Sequence, residues 1–254
     1  MKQYVFDGSW TGLLTAVFEC FERRERNVRL VHTDHYQPQM FDESFIVFSE
    51  DQKASRVDRG LQKCLKQVMY RKLFCTFLSG LPECYNLLLH LMIRIFSGEE
   101  HLMDNYGDEA VLYVTQTAKS VEREKHRMKA FVRFEKTDDG MFFALVEPDF
   151  NVLPLIVDFF RNRYADQNWL IYDTKRKYGL YYDQRSVAEV TIGAVSATPH
   201  SIATIAYDTD EEQYKTLWRE YFRSTNIPAR RNMKLHLQHV PRRYWKYLVE
   251  KKPE

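Results

Sequence analysis

Residues 130–182 read AFVRFEKTDDGMFFALVEPDFNVLPLIVDFFRNRYADQNWLIYDTKRKYGLYY, and this stretch decides the fold. Residues 130–135 (AFVRFE) and 141–146 (MFFALV) are short runs rich in aromatic and β-branched residues. Lys136-Thr137-Asp138-Asp139-Gly140 between them is a hairpin signal. A helix is predicted over about 152–163. A second hairpin is predicted to pair 169–172 with 179–182 around the tip 173–178. The local architecture is therefore ββαββ.

Upstream, residues 3–6 read as a strand that stops at Asp7-Gly8. Ser9 or Thr11 then caps a helix whose Leu13, Leu14, Val17, Phe18 and Phe21 recur at helical spacing. Residues 28–32 and 45–48 look like further strands, so this start is β-α-β and favours an open sheet with a covering helix. From 51 to about 126 the pattern is helical. Leu61, Leu65, Val68 and Met69 form one stripe, 87–96 a mostly buried helix and 111–129 a charged amphipathic one. Downstream, 211–223 reads as a helix and the last thirty residues as a basic, aromatic tail. The expectation is an α+β protein. An α/β and helical portion covers 1–120, and 121–254 holds the ββαββ unit with a C-terminal helix and the tail. The boundary falls near 105–125, with no Pro/Gly/Ser linker to mark it.

Composition narrows the classes. With 44% hydrophobic and 28% charged residues in 254, the chain is globular, and nine glycines exclude collagen-like or glycine-loop architectures. The apolar runs at 87–96 and 152–160 are interrupted by His90 and Arg94 or by Pro154 and Asp158. Neither reaches the roughly 18–20 residues of a membrane span, so a soluble, cytoplasmic protein with no membrane association is expected. Cys20, Cys64, Cys75 and Cys84 contain no C-x-x-C pair, which argues for buried thiols and against zinc or iron–sulfur sites. The chain thus cannot itself be a radical-SAM enzyme. P-loop, dinucleotide, zincin and nucleophile-elbow motifs are absent, and no cofactor or metal is called for.

Net charge is only +2, so nucleic-acid affinity would have to come from uneven placement of charge. Placement is uneven. From Arg223 to Glu254 nine Lys/Arg face only Glu250 and Glu254. Arg230, Arg231, Arg242, Arg243 and Lys246 are interleaved with Tyr244 and Trp245, a pattern in which cations neutralise phosphates while rings stack on bases. The same residues would also suit a solvated face whose aromatics pin the tail to the core. The hairpin tip adds Lys175, Arg176 and Lys177. Glu147 and Asp149, at a strand's end, are candidates for acid/base catalysis with His126, and Asp7 sits at another strand-to-helix turn. Asp149 or Asn151 serves equally well as the N-cap of the following helix. His32-x-Asp34-His35 reads as a metal-ligand set or as a surface loop.

Several strings occur in order: Met128-Lys129-Ala130-Phe131-Val132-Arg133-Phe134 after His126, Glu147-Pro148-Asp149-Phe150-Asn151-Val152-Leu153-Pro154, 165–173 (ADQNWLIYD) and Pro241-Arg242-Arg243-Tyr244-Trp245. Together with the Tyr4-Val5-Phe6-Asp7-Gly8 opening they resemble an uncharacterised bacterial family assigned to DNA metabolism or DNA repair. In that family the gene neighbour encodes a radical-SAM protein of DNA modification or repair, and some members carry a uracil-DNA-glycosylase-like domain. One departure is Phe150, where the family has a histidine. The resemblance implies a DNA-binding partner that acts with a radical-SAM enzyme. In that role Arg242, Arg243 and Lys246 would contact phosphates, Tyr244 and Trp245 would stack, and Lys175, Arg176 and Lys177 would anchor. A DNA-lesion hydrolase or glycosylase using His126, Glu147 and Asp149 is the alternative, and an adaptor that touches only protein the third.

Overall fold

The computed structural model describes residues 2–38, 43–99, 101–191, 210–225 and 233–251. The protein is α+β and divides into two units, Met1–Glu122 and Arg123–Glu254.

In the first unit β1 (Lys2–Phe6) lies between β2 (Val28–His32) and β3 (Ser44–Ile46), all parallel. Tyr4, Val5 and Phe6 are buried successively, as expected of a central parallel strand covered on both faces. The chain turns out of β1 at Gly8, at φ +79°, where a Cβ would lie 2.2 Å from His32 Nε2, so only glycine fits. Ser9 then caps α1 (Trp10–Glu22), its hydroxyl accepting from the Gly12 N–H at 2.8 Å. Leu13, Leu14, Ala16, Val17 and Cys20 of α1 join the strands in one core with α2 (Asp51–Cys64) and α4 (Pro82–Phe96). The predicted Leu61–Met69 stripe is broken. Leu65 is extended (φ −118°, ψ 144°) and ends α2, so α3 (Gln67–Leu78) starts in a new register. Leu61 is then fully buried while Val68 is 65% exposed. Cys20, Cys75 and Cys84 are buried thiols, whereas Cys64 is exposed.

The second unit starts within α5 (Glu109–Phe131). The strand expected at 130–135 is replaced by the end of α5 and an irregular stretch: α5 runs to Phe131, and the Val132 N–H still bonds the Met128 carbonyl. Arg133 Nη1 donates to the Ala130 and Val132 carbonyls (2.7 and 3.2 Å), satisfying acceptors that every helix C-terminus leaves open. Strand structure is confined to β4 (Glu135–Lys136), which pairs with β5 (Phe142–Val146) across the predicted hairpin turn. α6 (Leu153–Arg163) crosses over from β5 to the parallel strand β6 (Trp169–Asp173). β7 (Tyr178–Tyr182) and β8 (Val187–Val190) follow antiparallel, giving the order β4-β5-β6-β7-β8. β8 is an addition to the ββαββ pattern. Asp183 Oδ1 accepts from the Arg185 and Ser186 N–H groups (2.9 and 2.6 Å) and turns the chain into it. Trp169, Phe160 and Tyr182 fill the core beneath the sheet. α7 (Glu211–Thr225), α8 (Met233–His239) and two 3-10 turns, Arg242–Tyr247 and Val249–Lys251, complete the unit. Among the described residues no helix is long and apolar enough to cross a membrane.

Candidate anion-binding cleft

Three pieces of chain meet at one cleft: the turn Glu147-Pro148-Asp149 that leaves β5, the β6–β7 tip, and the 3-10 turn Arg242–Tyr247. The tip is built around Asp173, which is fully buried. Its Oδ1 accepts from the Lys175 and Arg176 N–H groups (2.9 and 3.1 Å), and its Oδ2 pairs with Arg176 Nη1 at 2.7 Å. Arg176 then reaches across to the Pro148 and Asp149 carbonyls (3.1 and 2.8 Å), and Lys175 Nζ reaches the Asp149 carbonyl at 3.2 Å. Arg176 is thus committed to holding the tip against the turn. Lys177 is exposed at φ +58°.

The acidic turn and the basic tail, read as separate features in the sequence, neutralise each other in part. Lys246 Nζ lies 2.5 Å from Glu147 Oε2, which also accepts from the Tyr247 hydroxyl at 2.6 Å and Thr174 Oγ1 at 3.4 Å. Arg243 Nη2 lies 2.5 Å from Asp149 Oδ2. The cleft is ≈ 430 Å³, lined by these two carboxylates and by Lys175, Arg242, Arg243 and Lys246, so cations outnumber anions by two. Arg242 is exposed and has no ion-pair partner among the described residues. The hydrogen bond from Lys246, then that from Tyr247, holds the Glu147 carboxyl below its usual 4.5. Ionised at neutral pH, Glu147 has no proton to donate.

Asp149 and Asn151 do not cap α6. Val152 occupies the N-cap position, with no side-chain cap, and Asn151 Oδ1 instead accepts from the Tyr178 hydroxyl. His126 is exposed on α5 and does not line the cleft, and Asp7 belongs to the other unit, where Ser9 and Ser49 bond its carboxylate. His32 and His35 sit 5.8 Å apart at the end of β2, and no group of three metal-binding side chains occurs among the described residues. Tyr244 is core, 2% exposed. Trp245 is half-buried, its Nε1 donating to the Val240 carbonyl at 3.1 Å. Arg230 and Arg231 lie outside the described residues.

Sequence reasoning missed the group that organises the tail. Glu124 is 1% exposed; its Oε1 accepts from the Asp149 N–H (2.9 Å) and the Tyr244 hydroxyl, and its Oε2 faces Arg127 and Arg243 at 3.5 and 3.6 Å. Burial, then the bond to Glu124, raises the Tyr244 phenol above its ordinary range. A carboxylate between Val121 and Met128, in the apolar stripe of α5, was the available signal.

An α+β unit with a mixed sheet and a cation-rich cleft at a strand end is the class these features define. The chain belongs to the family described as a domain of unknown function, DUF4130, whose model matches residues 82–250. No curated protein and no solved structure matches the chain.

Proposed function

We propose that the Arg123–Glu254 unit binds DNA by its phosphates at the cleft, as the DNA-binding partner of a radical-SAM enzyme in a repair or modification pathway. The pathway and the partner follow from the resemblance set out above. The observation that supports phosphate binding is the surplus of cations: four around the cleft against two carboxylates, with Arg242 unpaired among the described residues and Lys177 exposed at the adjoining tip. Two of those four already hold carboxylates, so phosphate would be neutralised by Arg242 and by Lys175, whose Nζ bonds a carbonyl, that of Asp149, and pairs with no carboxylate among the described residues. Glu147 and Asp149 serve in this reading as counter-charges rather than as acid and base.

Binding to duplex DNA, followed by fluorescence anisotropy across a salt series, tests it. Each phosphate neutralised contributes a salt slope of about 0.9, so Arg242→Ala reduces the slope by about 0.9 and weakens binding about eightfold at 0.1 M salt. Lys175→Ala acts alike. Arg176→Ala, which loosens the tip, should change stability more than slope. A slope that neither Arg242→Ala nor Lys175→Ala moves would rule the cleft out.

A further inference from the structure

We propose that the aromatic groove between α6 and α7 takes unstacked bases of a single-stranded nucleic acid, an inference that rests on the DNA reading for the class of polymer. The groove is a separate concavity of ≈ 980 Å³ that shares no lining residue with the cleft. One wall is α7, where Tyr214, Leu217 and Tyr221 share a helical face and remain 60–61% exposed. The helix itself is pinned. Glu211 Oε2 accepts from the Lys136 N–H at 3.0 Å, and Trp218 Nε1 donates to Glu250 Oε2 at 3.0 Å. Large apolar side chains grouped on a held surface mark a place where something docks.

The opposite wall gives the chemistry of the occupant. Lys129 Nζ lies 4.7 Å from the centre of the Phe159 ring, and Arg163 Cζ lies 5.7 Å from that of Tyr164. Neither cation has a carboxylate partner among the described residues, although Arg133 and Lys215 deeper in the groove are paired with Glu250 and Glu135. An apolar peptide would desolvate Lys129 and Arg163 with no anion to compensate. A single strand brings both complements, flat rings for the tyrosines and phosphates for the rim cations. A duplex keeps its bases stacked and cannot present them here.

The test measures the 254-residue chain against an oligothymidylate longer than about 16 nucleotides and a duplex of equal length. Tyr214→Ala/Tyr221→Ala removes two stacking faces and should weaken single-strand binding about 30-fold, with the salt slope unchanged and duplex affinity within about threefold. Both side chains are mostly exposed, so the fold should be retained. Lys129→Ala/Arg163→Ala should instead lower the single-strand slope by about 1.4. Single-strand affinity equal to wild type in the tyrosine variant overturns the inference. If that variant is silent while Arg242→Ala still lowers the duplex slope, the groove alone is refuted. If the wild type binds neither polymer, the DNA reading falls and the groove inference with it.

Discussion

Glu124→Ala lowers the stability of the Arg123–Glu254 unit by about 3 kcal/mol, because it takes the acceptor from the buried Tyr244 hydroxyl and from the partly buried Asp149 N–H at once. The Tyr244 hydroxyl and the Asp149 N–H both give their hydrogen bond to Glu124 Oε1. An unsatisfied buried donor costs about 1–3 kcal/mol, so the Tyr244 hydroxyl accounts for most of the expected loss and the partly buried Asp149 N–H for the rest. Arg127 and Arg243 lose a counter-charge as well. Their side chains are 22% and 43% exposed, so water compensates most of that part. For a unit of this size the loss corresponds to a fall in Tm of about 10 °C. Trp169, Trp218 and Trp245 all lie in this unit and only Trp10 in the other, so tryptophan fluorescence reports the relevant transition.

The partner substitution separates a lost hydrogen bond from lost packing. Tyr244→Phe keeps the ring, which packs 5.4 Å from Phe131, and removes only the donor, so it should cost about 1–2 kcal/mol. Combining it with Glu124→Leu replaces donor and acceptor by apolar groups, and the double variant should then cost less than the sum of the two single changes. A Glu124→Ala loss below about 0.5 kcal/mol, typical of a surface change, would show that the carboxylate does not hold the tail.

The parts of the fold legible in the sequence were those settled by neighbours in the chain. The turn at 136–140 is closed by Asp139 and by Gly140 at φ +84°, and the helix of 153–163 follows from its own apolar spacing. Residues 130–134 were ambiguous because Phe131, Val132 and Phe134 suit either period. The decision falls to Arg133, which bonds the Ala130 and Val132 carbonyls at the end of α5 and, at 2.9 Å, the distant Glu250. The parallel pairing of β5 with β6 was equally hidden, since two hairpin patterns in a row do not state which strands become neighbours. In the cleft, the residue types were legible and their mutual cancellation was not. Glu147 and Lys246 are 99 positions apart, and only tertiary packing decides that the nearest anion to that lysine is a carboxylate of its own chain.

That cancellation yields the second large effect. Glu147→Gln/Asp149→Asn should tighten duplex binding about 60-fold at 0.1 M salt and steepen the salt slope by about 1.8, since two more cations become available to phosphates. Lys246 is held by Glu147, Arg243 keeps its longer 3.6 Å contact to Glu124 when Asp149 is neutralised, and both acids are partly exposed (40% and 47%), so losing the pairs costs the fold little. The acid side of the stability profile should change in the same variant. Glu147 titrates below 4.5 in the folded protein, so its pair with Lys246 contributes stability above about pH 4.5 and loses it as the pH falls through the depressed value. The double variant should lack that part of the acid sensitivity. The direction of the binding change is the discriminating result. Were Glu147 and Asp149 an acid/base pair acting on a DNA lesion, neutralising them would abolish turnover and leave the salt slope where it was. As counter-charges that occupy the cations in the absence of DNA, they weaken phosphate binding, and removing them strengthens it. Binding that weakens or stays level in the double variant refutes the counter-charge role of the two carboxylates.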